Sequence, residues 1–172
     1  MCEAPLRIAG MVNDSITDGP GLRFTLFVQG CVRRCEGCHN QSALPFEGGT
    51  EVTVDQLMQK IESNPMLCGV TLSGGEPFAQ AASLLPLAQR VKQAGHELAA
   101  YTGYTFEELL ALEDACVHAL LALCDVLVDG PFVLAERDLS LKFRGSKNQR
   151  ILNVQNSLAQ GRAVWETDER WV

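Results

Sequence analysis

Hydrophobic and polar positions along the chain alternate between two periods, and the switches between them mark strands and helices. Leu22 to Val28 (LRFTLFV) is β-branched and aromatic enough for a strand, introduced by the turn Asp18-Gly19-Pro20-Gly21. A glycine- and cysteine-rich loop follows over 30–49. Val54, Leu57, Met58 and Ile61 then recur at helical spacing, with Thr53 and Gln56 placed for a capping box. Gly69 to Leu72 reads as a short apolar strand running into Ser73-Gly74-Gly75-Glu76-Pro77. Leu84, Leu87, Ala88 and Val91 share a second helical face; Pro86 should kink it or mark its first regular turn, and Gly95 suits its end. Leu98 to Thr102 is a third strand, and Thr105 with Glu108 a second capping box. A helix around 115–123, a strand over 125–128, another at 150–153, a short helix to about Gln160 and a last strand at 163–165 complete the pattern.

Repeated strand–loop–helix units imply parallel strands joined by right-handed crossovers. A closed eight-unit barrel needs about 250 residues, whereas this chain has 172. The expectation is therefore a single α/β domain over 1–172, built as an incomplete parallel (β/α) barrel. Residues that follow strands become the candidates for a site, because α/β folds carry their chemistry at the carboxyl ends of strands.

Charge and cysteine content narrow the partners. The net charge is −7, which disfavours a nucleic-acid surface. No apolar stretch is long enough for a membrane span, and the opening MCEAPLRIAG lacks the regions of a signal peptide. A cytoplasmic setting is expected, where seven cysteines point to metal or redox chemistry rather than disulfides. Cys2 is expected to be a terminal thiol without a role, and Cys68, Cys116 and Cys124 to pack as small apolar side chains.

The remaining three cysteines, Cys31, Cys35 and Cys38, form C-x3-C-x2-C (CVRRCEGC). Thiolates suit zinc or an iron–sulfur cluster. Structural zinc wants four protein ligands; the nearest fourth, His39, directly follows Cys38, an awkward spacing for one tetrahedral ion. Three ligands without an evident fourth suggest a cubane cluster with one open iron. A zinc-stabilised binding module is the rival from outside the enzymes.

With both segments read, CVRRCEGC and SGGEP resemble the cluster and methionine-binding motifs of the radical S-adenosylmethionine enzymes. The stretches NDSITDGPGLRFTLFVQGC, GCHN, TLSGGEPF, YTGYT, VDGPF and FRGSKNQR further resemble the family that activates anaerobic ribonucleoside-triphosphate reductases. Val32 and Glu36 stand where relatives often carry proline, and Gly37 where many radical enzymes have an aromatic residue.

The resemblance implies that Cys31, Cys35 and Cys38 hold a 4Fe–4S cluster whose open iron chelates S-adenosylmethionine. It implies main-chain contacts from Gly74, Gly75 and Glu76 to the methionine end, and from Gly37, Cys38 and His39 along the adenine. Thr102 and Asp129, which end later strands on the same face, are candidates to line the cavity. Reduction would release a 5′-deoxyadenosyl radical that takes hydrogen from a glycine of the reductase's glycyl-radical subunit. The implied partners are that reductase and a low-potential electron donor such as flavodoxin or ferredoxin. Activation of another glycyl-radical enzyme, or a small-molecule radical reaction, is the rival among enzymes. The basic run Lys142, Arg144, Lys147 and Arg150 is open between a solvated loop and contact with partner or cofactor, and Arg33 and Arg34 beside the cysteines between exposed loop charges and a landing site for an acidic electron donor.

Overall fold

The structure, a computed structural model, describes residues 5–172; Cys2 lies outside the described residues. Its strands are β1 (Leu6–Ser15), β2 (Arg23–Val28), β3 (Thr50–Val52), β4 (Gly69–Gly74), β5 (Glu97–Tyr101), β6 (Val126–Asp129) and β7 (Arg150–Asn153). Its helices are α1 (Val54–Glu62), α2 (Ala81–Gln93), α3 (Phe106–Ala111), α4 (Ala115–Leu123) and α5 (Val154–Gln160). The strands form one sheet in the order β3-β1-β2-β4-β5-β6-β7, with β3 and β7 at its edges.

The sheet is mixed, which corrects the expectation of a wholly parallel one. Only β2, β4, β5 and β6 run parallel. They are the strands separated by helices, and a parallel neighbour needs such a crossover. Between β1 and β2 there is only a short turn, and between β6 and β7 only a loop with one 3-10 turn, so both pairs are antiparallel. β3 adds antiparallel to β1. The strand expected at 163–165 reduces to one bridge between Leu152 and Trp165.

Local signals set the helices. Thr53 with Gln56, and Thr105 with Glu108, each form a reciprocal capping box that satisfies otherwise orphaned amides. Asp114 caps α4 by accepting from the Cys116 and Val117 amides. The helix α2 begins at Ala81 and continues across Pro86 to Gln93, giving up one backbone hydrogen bond rather than breaking.

Strand alternation sorts the core into two sides. Phe24, Leu26, Val28, Val70, Leu72, Leu98, Ala100, Leu127 and Leu152 join Leu57, Ile61, Leu84, Leu87, Val91, Phe106, Leu120 and Val154 in the main cluster, to which all five helices contribute. The opposite set, Ala99, Val126, Val128 and Ile151, is covered by Trp171 with Phe143 and Tyr101 against it. Arg23 is fully buried near that tail, paired with Glu97 at 2.8 Å and 5.3 Å from the Trp171 ring. With helices and a C-terminal plug claiming the two faces, the open ground left for a site is at the carboxyl ends of the parallel strands.

Candidate functional site

A pocket of about 600 Å³ opens at those strand ends. One wall is the loop that follows β2. Its base is clasped: the Gly30 amide donates to the Ala43 carbonyl at 2.7 Å and the Cys31 amide to Leu44 at 2.9 Å. The buried Gln29 side chain donates to the Ser42 and Pro45 carbonyls at 3.1 and 2.6 Å. Cys31 is buried, Cys35 and Cys38 are half-buried, and all three line the pocket as free thiols. Burial pushes the Cys38 thiol up, opposed by the Asn40 amide that donates to its sulfur at 3.4 Å and reinforced by the nearby Cys35 and Cys31.

Among the described residues, no group of three or more His, Cys, Asp and Glu side chains is drawn tightly enough to hold a single metal ion. His39, the one nearby candidate for a fourth ligand, is exposed and lies with its ring 5.3 Å from that of Phe132. Three soft thiols on one pocket, with the His39 ring packed against Phe132, suit an iron–sulfur cluster.

The pocket floor comes from the end of β4. Ser73, Gly74, Gly75 and Glu76 all line it. The two glycines, however, are also packed against protein. Gly74 has φ +97°, and a Cβ there would fall 2.4 Å from the Val28 nitrogen; one on Gly75 would fall 2.2 Å from the Gly30 carbonyl oxygen. Their lack of a side chain lets β4 and the cysteine loop meet backbone to backbone. Main-chain bonds seal that seam: the Gly75 amide donates to Val28 and the Glu76 amide to Gly30, each at 2.8 Å. Asn40 adds a 3.3 Å bond from its side chain to the Gly74 carbonyl.

Glu76 is the hub beneath. Its Oε1 accepts from the Phe78 amide at 3.1 Å and the Thr102 hydroxyl at 2.8 Å, and its Oε2 from the Gly103 amide at 2.8 Å. Burial pushes its carboxyl up to about 7, against these three donors. A raised acid binds more protons folded than unfolded between about 4.5 and about 7. Its contribution to stability is complete below that window and lost as pH rises through it. Unfolding free energy should therefore fall from about pH 5 to about pH 8, and Glu76→Gln should flatten that fall while lowering stability, since its amide would turn a donor toward a donor. Denaturant titrations across pH check both.

Thr102 lines the pocket with its hydroxyl already engaged by Glu76 and by the Tyr104 amide. Asp129 is not in the lining, and here the structure departs from expectation. Fully buried, it accepts from the Phe106 amide at 2.7 Å and pairs with Arg150 at 2.6 Å. It secures the start of α3, and its neighbour Gly130 faces the pocket instead. Asp129→Ala should cost about 3 kcal/mol in denaturant unfolding, the lower end for breaking a buried pair because Arg150 keeps Glu107. Gly37, exposed in the cysteine loop and packed near Leu134, is likewise outside the lining.

Sequence reasoning gave no role to Gln29 and Gln80, which shape the site, and left Arg33 open between donor docking and an exposed loop charge. Gln29 and Gln80 clasp the loop, the latter donating to the Arg7 and Gln29 carbonyls at 2.8 Å. Arg33 reaches from the cysteine loop to Glu108 at 2.5 Å and lies 4.7 Å over the Tyr104 ring. The polar residue directly after an apolar strand was the available signal for Gln29. The basic run divides: Arg150 is paired, Lys142 donates to the Val172 carbonyl, Lys147 lies 3.9 Å from Asp138, and Arg144 lines the pocket. Cys124 is buried as expected and Cys116 half-buried, whereas Cys68 is exposed at the opposite end of β4 from the pocket.

Comparison with known proteins decides the family. A family model described as "4Fe-4S single cluster domain" matches residues 17–152. The anaerobic ribonucleoside-triphosphate reductase-activating protein of Vibrio cholerae is 40% identical over 144 residues, covering 79% of this chain and 90% of that protein. The chain belongs to this activating-protein family. Members from Escherichia coli K12 and from enterobacteria phage T4 match at 39% and 35% identity, over 79% and 78% of this chain and 91% and 85% of theirs. A solved structure, QueE from Escherichia coli, aligns at 18% identity with a TM-score of 0.47, over 59% of this chain and 54% of that one, a likeness too loose to argue from. Among the described residues of this activating-protein relative, no helix is long and apolar enough to cross a membrane.

Proposed function

We propose that the protein is the activating enzyme of an anaerobic ribonucleoside-triphosphate reductase, working with a 4Fe–4S cluster and S-adenosylmethionine. The observation that carries this reading is the meeting of three free thiols and the Ser73–Glu76 segment on one open pocket, in a chain of the activating-protein family. In this reading, residues 1–172 form one radical S-adenosylmethionine domain with cluster loop 30–49, and the open sheet is an incomplete (β/α) barrel.

When bound, the cluster and cofactor would supply one-electron reductive cleavage of S-adenosylmethionine, the radical chemistry needed to remove hydrogen from a glycine of the reductase. The chain's own residues bind, orient and shield. Cys31, Cys35 and Cys38 hold the cluster, and the Asn40 amide stabilises the Cys38 thiolate. Backbone at Gly74, Gly75 and Glu76 receives the methionine end, on a floor that Glu76 and Thr102 keep rigid. Backbone at Gly37, Cys38 and His39 would receive the adenine, Cys38 and His39 from the pocket wall and Gly37 from the loop outside its lining. Because the pocket is open, a partner loop can reach the bound cofactor, and proximity then governs transfer.

The six described cysteines are all unpaired, which suits a reducing cytoplasm, and the reduction itself would draw on a low-potential donor such as flavodoxin or ferredoxin. Anaerobic reconstitution with iron and sulfide, followed by S-adenosylmethionine and dithionite, tests the reading. It predicts stoichiometric methionine and 5′-deoxyadenosine; a reconstituted, cluster-loaded protein that leaves the cofactor intact contradicts it.

A further inference from the structure

Arg144 lines the pocket on the wall made by the β6–β7 loop, and its charge is unanswered. Its Nη1 donates to the Gln149 carbonyl at 2.9 Å, its guanidinium lies 5.7 Å from the Trp165 ring, and its Nε is buried without a partner. Other arginines withdrawn from solvent meet carboxylates: Arg23 meets Glu97, Arg33 meets Glu108, and Arg150 meets Asp129 and Glu107. Arg144 has no such pair among the described residues. Asp138, the acid of its own loop that faces the same pocket, is held by Ser140 and lies near Lys147.

An unmatched buried donor costs stability that an apolar residue would not. The loop is nonetheless built to present it. Gln149 Oε1 accepts from the Gly145 and Ser146 amides at 2.8 and 3.2 Å, while its Nε2 donates to the Gly130 carbonyl at 3.1 Å. The guanidinium therefore stands on a rigid support before any ligand arrives.

We propose that Arg144 is an anion-binding residue of this pocket and that its ligand is a carboxylate. The planar fork of arginine matches a carboxylate or a phosphate. Asp18, Glu76 and Asp138 line the same pocket and oppose a polyanion, so a single negative charge fits better than a phosphate. Resting on the function proposed above, that carboxylate comes either from the methionyl end of S-adenosylmethionine or from the reductase.

The test uses reconstituted full-length protein as wild type, Arg144→Gln and Arg144→Lys, with the exposed Arg162→Gln as control. S-adenosylmethionine affinity is read by calorimetry, the half-saturating reductase concentration by glycyl-radical yield, and integrity by iron content and melting. Arg144→Gln should weaken one of the two binding steps roughly tenfold or more. Arg144→Lys should recover part of it, having the charge without the fork, and carries the comparison if the glutamine variant does not fold. Weaker cofactor binding assigns the carboxylate to S-adenosylmethionine; unchanged cofactor binding with a higher half-saturating reductase concentration assigns it to the partner. Both steps unchanged in folded, loaded variants overturns the proposal, whether or not melting shifts. If the wild type binds no S-adenosylmethionine, the proposed function fails, and L-methionine against methioninol becomes the probe. Carboxylate-dependent quenching of Trp165 that Arg144→Gln abolishes still supports the anion site, and its absence overturns it.

Discussion

Replacing Cys31, Cys35 or Cys38 with alanine should reduce the iron and acid-labile sulfide of the reconstituted protein to about a tenth or less of the wild-type content. Each removes one of the three thiols that line one pocket, on the loop between β2 and β3. The other described cysteines are poor substitutes for separate reasons. Cys124 is fully buried, donates to the Leu120 carbonyl, and has its thiol pushed up to about 12 by burial, so it supplies no thiolate at neutral pH. Cys116 sits at the start of α4, and Cys68 just before β4, at the far end of that strand from the pocket. Alanine at any of these three should leave iron and sulfide near wild type. Loss of the cluster from Cys68→Ala, with retention in Cys31→Ala, would contradict the assignment.

Gly75→Val should damage the fold and the cluster site together. The new Cβ would lie 2.2 Å from the Gly30 carbonyl oxygen and 2.9 Å from that of Ala43, and backbone at the base of the cysteine loop cannot swing aside as a side chain can. Relief requires breaking the 2.8 Å bonds from the Gly75 and Glu76 amides to Val28 and Gly30. Overpacking of this kind costs about 1–3 kcal/mol or more. The expected result is a lower melting temperature with reduced iron and weaker S-adenosylmethionine binding. A glycine needed only to admit the cofactor would lose affinity while keeping a full cluster and wild-type melting. Calorimetry, iron analysis and thermal unfolding on one preparation separate the two.

That contrast shows how far the sequence could be read. The SGGEP segment announced a close approach, yet nothing in the sequence said which backbone came close, because Gly30 and Val28 are distant along the chain. The helices were legible because their signals are local: two capping boxes lie within four residues each. β1 was missed because irregularities between Ile8 and Gly10, and between Val12 and Ser15, break its alternation. β3, with three residues, is too short to show a period. The antiparallel turn of β7 follows from a connection that lacks a helix, a signal present in the sequence but outweighed by the repeating units before it. The cysteine loop, the glycine segment and Thr102 do line one pocket, since each follows a parallel strand. Asp129 follows one too, but Arg150 and the Phe106 amide claim its carboxylate, a long-range pairing that spacing does not encode.

The most direct test of the central claim is electron paramagnetic resonance on the reductase itself. Reconstituted protein is incubated anaerobically with the cognate reductase, S-adenosylmethionine and a strong reductant. A glycyl doublet should appear on the wild-type reductase, together with nucleotide reduction, and both should be absent when the target glycine is alanine. Cofactor cleavage by a fully loaded protein, with no glycyl signal on that partner, would contradict the account and point to a small-molecule radical reaction.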